Sequence, residues 1–146
     1  MSDQQHFDAA AEGWQVIAEE RVPSNVANIG PAVERVVAYL RMDPRARVRE
    51  GEVSVALREA VANAVIHGNR MDPNKLVQIM LASATDGSLL LIVRDSGRGF
   101  DPSGVRSPVQ GRAVHAPNGR GVFLMRELMK DVTFRDGGRE VRIRIA

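Results

Sequence analysis

Three polar side chains recur at every fourth position in one apolar stretch of the chain. In REAVANAVIHGNR, from Arg58 to Arg70, they are Glu59, Asn63 and His67. This spacing places them on one face of a helix. Exposed helix faces usually carry Lys, Glu and Arg, whereas this one is otherwise built of Ala, and Asn is a poor helix former. The pattern is therefore as compatible with an open cleft beside the helix as with an ordinary solvated face.

The types of these side chains suggest a definite chemistry. The amide oxygen of Asn63 suits a hard cation such as Mg²⁺, which takes one or two protein oxygens and keeps several waters. Glu59, one turn earlier, could orient or deprotonate a nucleophile. For His67 we expect a structural, packed role.

A second polar group follows the apolar strand in LLLIVRDSGRGF. Asp95 comes directly after the strand, and Gly97 and Gly99 come next. A dinucleotide fingerprint would need these glycines to open a helix, but the segment that follows, FDPSG, does not continue as one. Two interpretations stay open: a strand that ends in an Asx-type turn, or a carboxylate that accepts a hydrogen bond from a ligand amine beside glycines that allow close approach.

The third group is NGRGVFLM, in which Gly119 and Gly121 immediately precede or open a helix. Unpaired amides at a helix start favour anions. Taken alone, the segment is better interpreted as a flexible loop that joins a helix, and the ordinary lysine-bearing phosphate loop is absent.

The elements that must position these groups can be predicted from hydrophobic periodicity and turn signals. Gly30-Pro31 is expected to weaken or kink the first helix. The segment DPRARVREGE is expected to be a connection or a short helical turn, and Thr85-Asp86-Gly87-Ser88 a tight hairpin turn. From Gly97 to Gly119 we predict a long loop that is either functional, such as a lid, or disordered. The predicted strands are Trp14–Val22, Lys75–Ala84, Ser88–Asp95, Val132–Asp136 and Arg139–Ala146, and the predicted helices are Ser24–Met42, Val53–His67 and Gly119–Val132.

Interspersed helices and hairpin strands indicate an α+β fold with one layer of helices on one face of a mixed, mostly antiparallel sheet. The chain has 146 residues, 44% of them hydrophobic, which suggests one domain with an ordinary core. A formal net charge of +2 gives no reason to expect direct nucleic-acid binding, and the chain has no Cys. The sequence lacks the pattern of a signal peptide or a membrane span, so we expect a cytoplasmic protein without membrane contact.

The three motifs in this order resemble the nucleotide-binding motifs of the Bergerat-fold ATPases. That superfamily includes histidine kinases, type II topoisomerases and mismatch-repair ATPases. The stretches LREAVANAVIHGNRMDPNKLVQI, RDSGRGFDP and GRGVFLMRELMKDVTF are similar, within it, to the anti-sigma-factor serine/threonine kinases of bacteria. The resemblance implies a histidine-kinase-like ATPase domain over residues 13–146, with residues 1–12 as a flexible N-terminus.

The resemblance also implies roles at the catalytic end of an ATP site. Asn63 would be the Mg²⁺ ligand that links the metal to the phosphates. Glu59 would activate the nucleophile. Gly119, Arg120 and Gly121 would meet the phosphates.

At the other end of the site, the resemblance implies that Asp95 receives the adenine amino group. Gly97 and Gly99 would shape the adenine and ribose side of the pocket, and the loop from Ser103 to Asn118 would be a mobile lid.

The function implied is partner switching. The chain would bind ATP, sequester a sigma factor or an analogous regulator, and phosphorylate a Ser or Thr on a small antagonist protein; a homodimer is plausible on the same ground. The alternatives are a non-catalytic ATP-binding module and a stand-alone catalytic domain of a histidine kinase.

Overall fold

In the computed structural model of the protein, the described residues are 9, 11–47, 49–97, 119–129 and 131–146. Gly99 and the predicted lid from Ser103 to Asn118 lie outside them, as does most of the segment 1–12.

In the described residues, five strands form one sheet in the order β1-β2-β3-β5-β4, and every pairing between them is antiparallel. The strands are β1 (Trp14–Pro23), β2 (Leu76–Ala84), β3 (Leu89–Arg94), β4 (Val132–Arg135) and β5 (Glu140–Arg144). As predicted, β2 and β3 form a hairpin, and its turn contains Gly87 at φ 91°. A positive φ of this kind strongly favours glycine.

The helices are α1 (Ile29–Arg41), α2 (Pro44–Arg47), α3 (Glu50–Ala62) and α4 (Gly119–Leu128). A 3₁₀ turn, Val26–Asn28, precedes α1. Because α1 begins at Ile29, Pro31 lies in the first turn of the helix and not in its middle. In the first turn the missing N–H of proline costs nothing, since backbone N–H groups there have no partner within the helix. The expected kink at this position was therefore wrong.

The two faces of the sheet are buried differently. Apolar residues at alternate strand positions join the buried sides of all four helices in one core, which places the helices on one face. The opposite face carries a small apolar cluster of Met80, Ala82, Leu90 and Ile92, against which Trp14 packs. The predicted α+β architecture, a helical layer on a mostly antiparallel sheet, is confirmed.

No helix in the described part of the chain is both long and apolar enough to cross a membrane.

Candidate functional site

The helix that carries the polar stripe ends within one residue of the predicted His67, but its last turn is not α-helical. After Ala62 it continues as a π-helical turn over Asn63–Gly68, closed by the N–H of Asn69 on the carbonyl of Ala64 at 2.8 Å. Turns of this kind are rare and often occur at functional sites. This one begins four residues after Glu59 and contains Asn63, His67 and Gly68.

Glu59 and Asn63 meet the first turn of α4 at Gly121. A Cβ built on Gly121 would lie 3.0 Å from Oε2 of Glu59 and 3.3 Å from both Oδ1 and Nδ2 of Asn63. The carboxylate and the amide therefore both lie against the backbone of Gly121. Any residue other than glycine at this position would displace one of them. Among the described residues, Nδ2 of Asn63 is buried and has no hydrogen-bond partner.

Asp95 lies against the far end of the same helix. A Cβ on Gly68 would lie 2.4 Å from the carboxyl carbon of Asp95, and a Cβ on Gly97 would lie 1.8 Å from the carbonyl oxygen of Gly68. Both contacts exclude any side chain, since real Cβ atoms do not approach so closely. The end of the π-helical turn and the turn after β3 are thus packed backbone against backbone.

Hydrogen bonds from two sides hold the Asp95 turn. Gly97 N–H donates to Oδ1 of Asp95 at 2.8 Å, and Ser96 N–H donates to Oδ1 of Asn69, also at 2.8 Å. Asp95 N–H donates to the carbonyl of Arg139 at 2.9 Å. The buried side chain of Asn69 also donates to the Ser24 hydroxyl at 2.7 Å. The turn is therefore fixed to the end of the helix and to the residue before β5.

Burial raises the pKa of the Asp95 carboxyl to about 6 from an ordinary value of 3.8. The hydrogen bond from Gly97 and the positive charges of Arg139 and Arg94 act in the opposite direction and only partly offset burial. A carboxylate with this pKa is charged at neutral pH but is poorly compensated by the protein around it.

A small pocket of about 20 Å³ lies between Asn63 and Asp95. Its wall is formed by the residues Ala60, Asn63, Ala64, His67, Gly68, Val93, Asp95, Met125, Phe134, Gly138, Arg139 and Val141. Most of this wall is apolar, and the polar groups of Asn63 and Asp95 belong to its lining. An apolar wall with a few polar groups is typical of a small-molecule site.

The structure brings together most of the residues that the sequence singled out. Glu59 and Asn63 lie at Gly121, and Asp95 and Gly97 lie at the other end of the π-helical turn. Gly119 and Arg120 belong to the first turn of α4, and Gly99 is outside the described residues. The roles predicted for these residues stay predictions.

Two residues of the site, Asn69 and Arg139, are not among those that the sequence motifs single out. Asn69 lies just after the predicted helix Val53–His67, and Arg139 is the first residue of the predicted strand Arg139–Ala146. The one available signal for Arg139 was the Gly137-Gly138 pair before it, which predicts a turn at the edge of the sheet. Arg94 pairs with Glu140, and this pairing places Asp95 next to Arg139 at the ends of β3 and β5. The sequence does not reveal which strands pair.

Comparison with known families and proteins agrees with this fold. Residues 22–145 match the model of the histidine kinase-like ATPase domain, so the chain belongs to that family. Within it, the chain is similar to proteins named anti-sigma F factor. It is 34% identical to that of Heyndrickxia coagulans over 67% of this chain and 68% of the relative. It is 30% identical to that of Geobacillus kaustophilus over 86% of this chain and 77% of the relative.

A solved structure supports the fold. The histidine kinase domain from the blue-light activated histidine kinase of Erythrobacter litoralis matches 80% of this chain with a TM-score of 0.51 and 20% identity. The match spans 60% of that longer chain. At this identity the similarity concerns the fold.

Proposed function

We propose that this chain is an ATP-dependent anti-sigma-factor serine/threonine kinase. It would sequester a sigma factor and phosphorylate a small antagonist protein. The observation that carries the proposal is the meeting of Glu59 and Asn63 at Gly121, beside a pocket that also holds Asp95. Membership in the histidine kinase-like ATPase family and the similarity to anti-sigma F factors support it.

The residues present fit a magnesium nucleotide. Asn63 offers its amide oxygen to Mg²⁺, and its Nδ2, buried without a partner among the described residues, is a donor that suits a phosphate oxygen. Gly121 leaves space beside that amide which a Cβ would fill. Asn63 would hold Mg²⁺, which neutralises phosphate charge when it is bound.

Asp95 suits the base of the nucleotide. Asp95 is 8% exposed and lies on a turn that Asn69 and Arg139 hold from both sides. An ionised carboxylate accepts hydrogen bonds only, which matches an exocyclic amine. Gly68 and Gly97 leave no side chain between this carboxylate and the helix end.

Glu59 would be the general base. The hydroxyl oxygen of the substrate Ser or Thr forms a bond to the γ-phosphorus of ATP, the bond from that phosphorus to ADP breaks, and Glu59 takes the hydroxyl proton. The backbone of Gly119, Arg120 and Gly121 in the first turn of α4 favours the phosphates, because N–H groups at a helix start are unpaired. Positioning and charge neutralisation supply most of the acceleration of phosphoryl transfer.

The antagonist substrate, the pairing of two copies of the chain and a cytoplasmic location belong to the same proposal. They are supported by the similarity to proteins named anti-sigma F factor.

The test separates nucleotide binding from transfer. Proteins captured from the source cell by the chain with Mg²⁺-ATP are incubated with ATP labelled at the γ-phosphate and with wild type, Glu59→Gln or Glu52→Gln. Glu52 serves as the control because it lies on the same helix, exposed and paired with Arg49. We expect Glu59→Gln to bind ATP within about threefold of wild type and to lose at least about 100-fold in transfer. Glu52→Gln should transfer normally.

The chemical stability of the product distinguishes the alternatives. Label that survives acid on a Ser or Thr of a small protein supports the proposal. Acid-labile label would indicate a histidine kinase domain, and ATP binding without transfer would indicate a regulatory module. Undiminished transfer by Glu59→Gln would remove Glu59 from the mechanism.

A further inference from the structure

Arg139 lies in the wall of the pocket beside Asp95, and neither the sequence motifs nor the proposed chemistry gives its side chain a role. It is the last residue before β5, and its side chain is 35% exposed. A partly exposed guanidinium inside a mostly apolar wall requires a reason, because solvation would be easier on the open surface.

The backbone before Arg139 is built to direct it into the site. Asp136, Gly137 and Gly138 have φ values of 52°, 63° and 90°, three successive residues in the left-handed region. Asp136 is the unfavourable one, since a side chain is present. Its carboxylate, 3% exposed, accepts hydrogen bonds from Arg94 at 2.7 Å and from Arg139 at 3.2 Å. These contacts hold the turn in a conformation that brings Arg139 to the pocket.

Arg139 contacts the Asp95 turn at both of its ends. Its carbonyl accepts the N–H of Asp95 at 2.9 Å, and its Nε donates to the carbonyl of Gly97 at 2.6 Å. The turn that presents the Asp95 carboxylate is thus clamped by a single residue from the neighbouring strand. Loss of the guanidinium would release the Gly97 end of this clamp.

In the described parts of the chain, the charged and titratable groups around Asp95 come from three elements. Arg94 lies beside it at the end of β3, Arg139 and Asp136 face it from the segment before β5, and His67 lines the pocket on the π-helical turn. Arg94 also pairs with Asp136 and with Glu140 at 3.0 Å, so its charge is shared. Among the described residues, Arg139 is the cation whose own side chain reaches the turn of Asp95.

We propose that Arg139 is the positioning residue of the base end of the nucleotide site. Its guanidinium fixes the carbonyl of Gly97, and its charge keeps Asp95 ionised, and so able to accept an amine, at and somewhat below neutral pH. This inference rests on the proposed function, because it assigns the ligand of Asp95 as the base of ATP.

Three substitutions separate charge from shape. Arg139→Gln and Arg139→Met remove the charge, the first with a hydrogen-bond donor retained and the second with only the aliphatic stem. Arg139→Lys keeps the charge without the planar fork. Arg135→Gln is the matched control. It removes one arginine four residues away, whose side chain is 50% exposed and pairs with Glu12 at 4.0 Å.

The measurement is the dissociation constant of ATP as a function of pH, by calorimetry. The phosphates of ATP titrate in the same range, but comparison between variants cancels that contribution. As pH falls, we expect the two neutral variants to lose ATP affinity at a higher pH than wild type does. The ratio of their dissociation constant to that of wild type should be at least about threefold larger at pH 6.5 than at pH 8. Arg139→Lys should bind more weakly at every pH and keep the wild-type midpoint.

Several outcomes decide the matter. Wild-type midpoints in both neutral variants would overturn the inference while leaving ATP binding, and thus the proposed function, intact. A shift in Arg135→Gln as large as in Arg139→Gln would also overturn it, since any lost charge would then suffice. A shift that disappears in a His67→Gln background would assign the titration to His67 instead. Failure of the folded wild type to bind ATP would remove the proposed function and this inference together.

Discussion

At the scale of single residues, Asp95 is the most costly group of the site. Its carboxylate is buried, and the partners around it leave its pKa at about 6 instead of 3.8. An acid whose pKa is raised by folding is a source of instability whenever it is ionised. The free protein therefore keeps a charge that it compensates poorly, which is useful if a bound amine supplies the missing partner.

This cost predicts a gain in stability on neutralisation. Between pH 4 and 6 the folded state binds more protons than the unfolded state, so this contribution to stability falls as pH rises through that window and stays lost above it. Asp95→Asn keeps an acceptor for Gly97 N–H and removes the charge. We expect its free energy of unfolding in urea to exceed that of wild type by up to about 3 kcal/mol at pH 8 and to match it near pH 4.

The same variant should lose ATP affinity, because its amide turns part of the acceptor into a donor that faces an amine. Asp72→Asn is the control, since Oδ1 of Asp72 likewise accepts an N–H two residues on, from Asn74 at 2.9 Å, but at an exposed turn. An Asp95→Asn protein that is less stable than wild type at pH 8 would contradict the assignment of the cost to burial of the charge.

Some residues of the site could be predicted because their spacing along one helix, or their position at the end of one strand, is enough to identify them. Glu59 and Asn63 share a helix face because they are four residues apart, and Asp95 ends an apolar strand. Asn69 and Arg139 act through contacts with segments that lie 27 and 42 residues away. Such contacts depend on the tertiary arrangement, which periodicity does not encode.

At the scale of elements, the site depends on how closely α3 and α4 approach. Gly121 is buried, and its Cα faces the Glu59 carboxylate and the Asn63 amide. The contact between these two helices thus sets the space beside the proposed metal ligand.

Gly121→Ala should fill that space. Its Cβ would meet Oε2 of Glu59 at 3.0 Å, and this flexible side chain can move aside, so we expect stability to change by less than about 1 kcal/mol. Displacement of Glu59 and crowding of Asn63 should weaken binding of Mg²⁺-ATP by about tenfold or more and reduce transfer further.

Gly51→Ala is the matched control for this substitution. Gly51 lies in the first turn of α3, and a Cβ there would meet nothing within 4 Å. It should stabilise the protein by a few tenths to about 1 kcal/mol without effect on nucleotide affinity. Equal ATP affinity in the Gly121 and Gly51 variants, measured by calorimetry, would show that the space at Gly121 is not used by the ligand.

Most elements were predictable because their periodicity is strong, but their ends were not. Helix α3 begins three residues before the predicted Val53 and ends in a π-helical turn that is invisible in a run of Ala and Val. The predicted helix over Gly119–Val132 ends at Leu128, where the chain turns toward β4. Tertiary contacts decide such boundaries more than local propensity does.

At the scale of the whole molecule, the sheet is stabilised on both faces by different means. The helices cover one face with an apolar core, whereas the other combines a small apolar cluster with buried ion pairs. Arg142, 7% exposed, lies between Glu140 at 2.7 Å and Glu12 at 2.7 Å. Glu12 precedes β1 at one edge of the sheet, and Arg142 lies three strands away, so this pair connects the start of the chain with the far side of the sheet.

Glu12→Gln should therefore weaken the fold as a whole without altering the nucleotide site. When a buried arginine loses one of its two carboxylate partners, its burial is no longer fully compensated. We therefore expect the free energy of unfolding to fall by about 1–2 kcal/mol. Glu52→Gln removes an exposed pair with Arg49, 3.4 Å apart, and should cost no more than about 0.5 kcal/mol. Urea unfolding measures both, with ATP affinity measured in parallel. Equal losses in the two variants would mean that the Glu12–Arg142 pair contributes no more than a surface contact, and that the segment before β1 is not part of what stabilises the sheet.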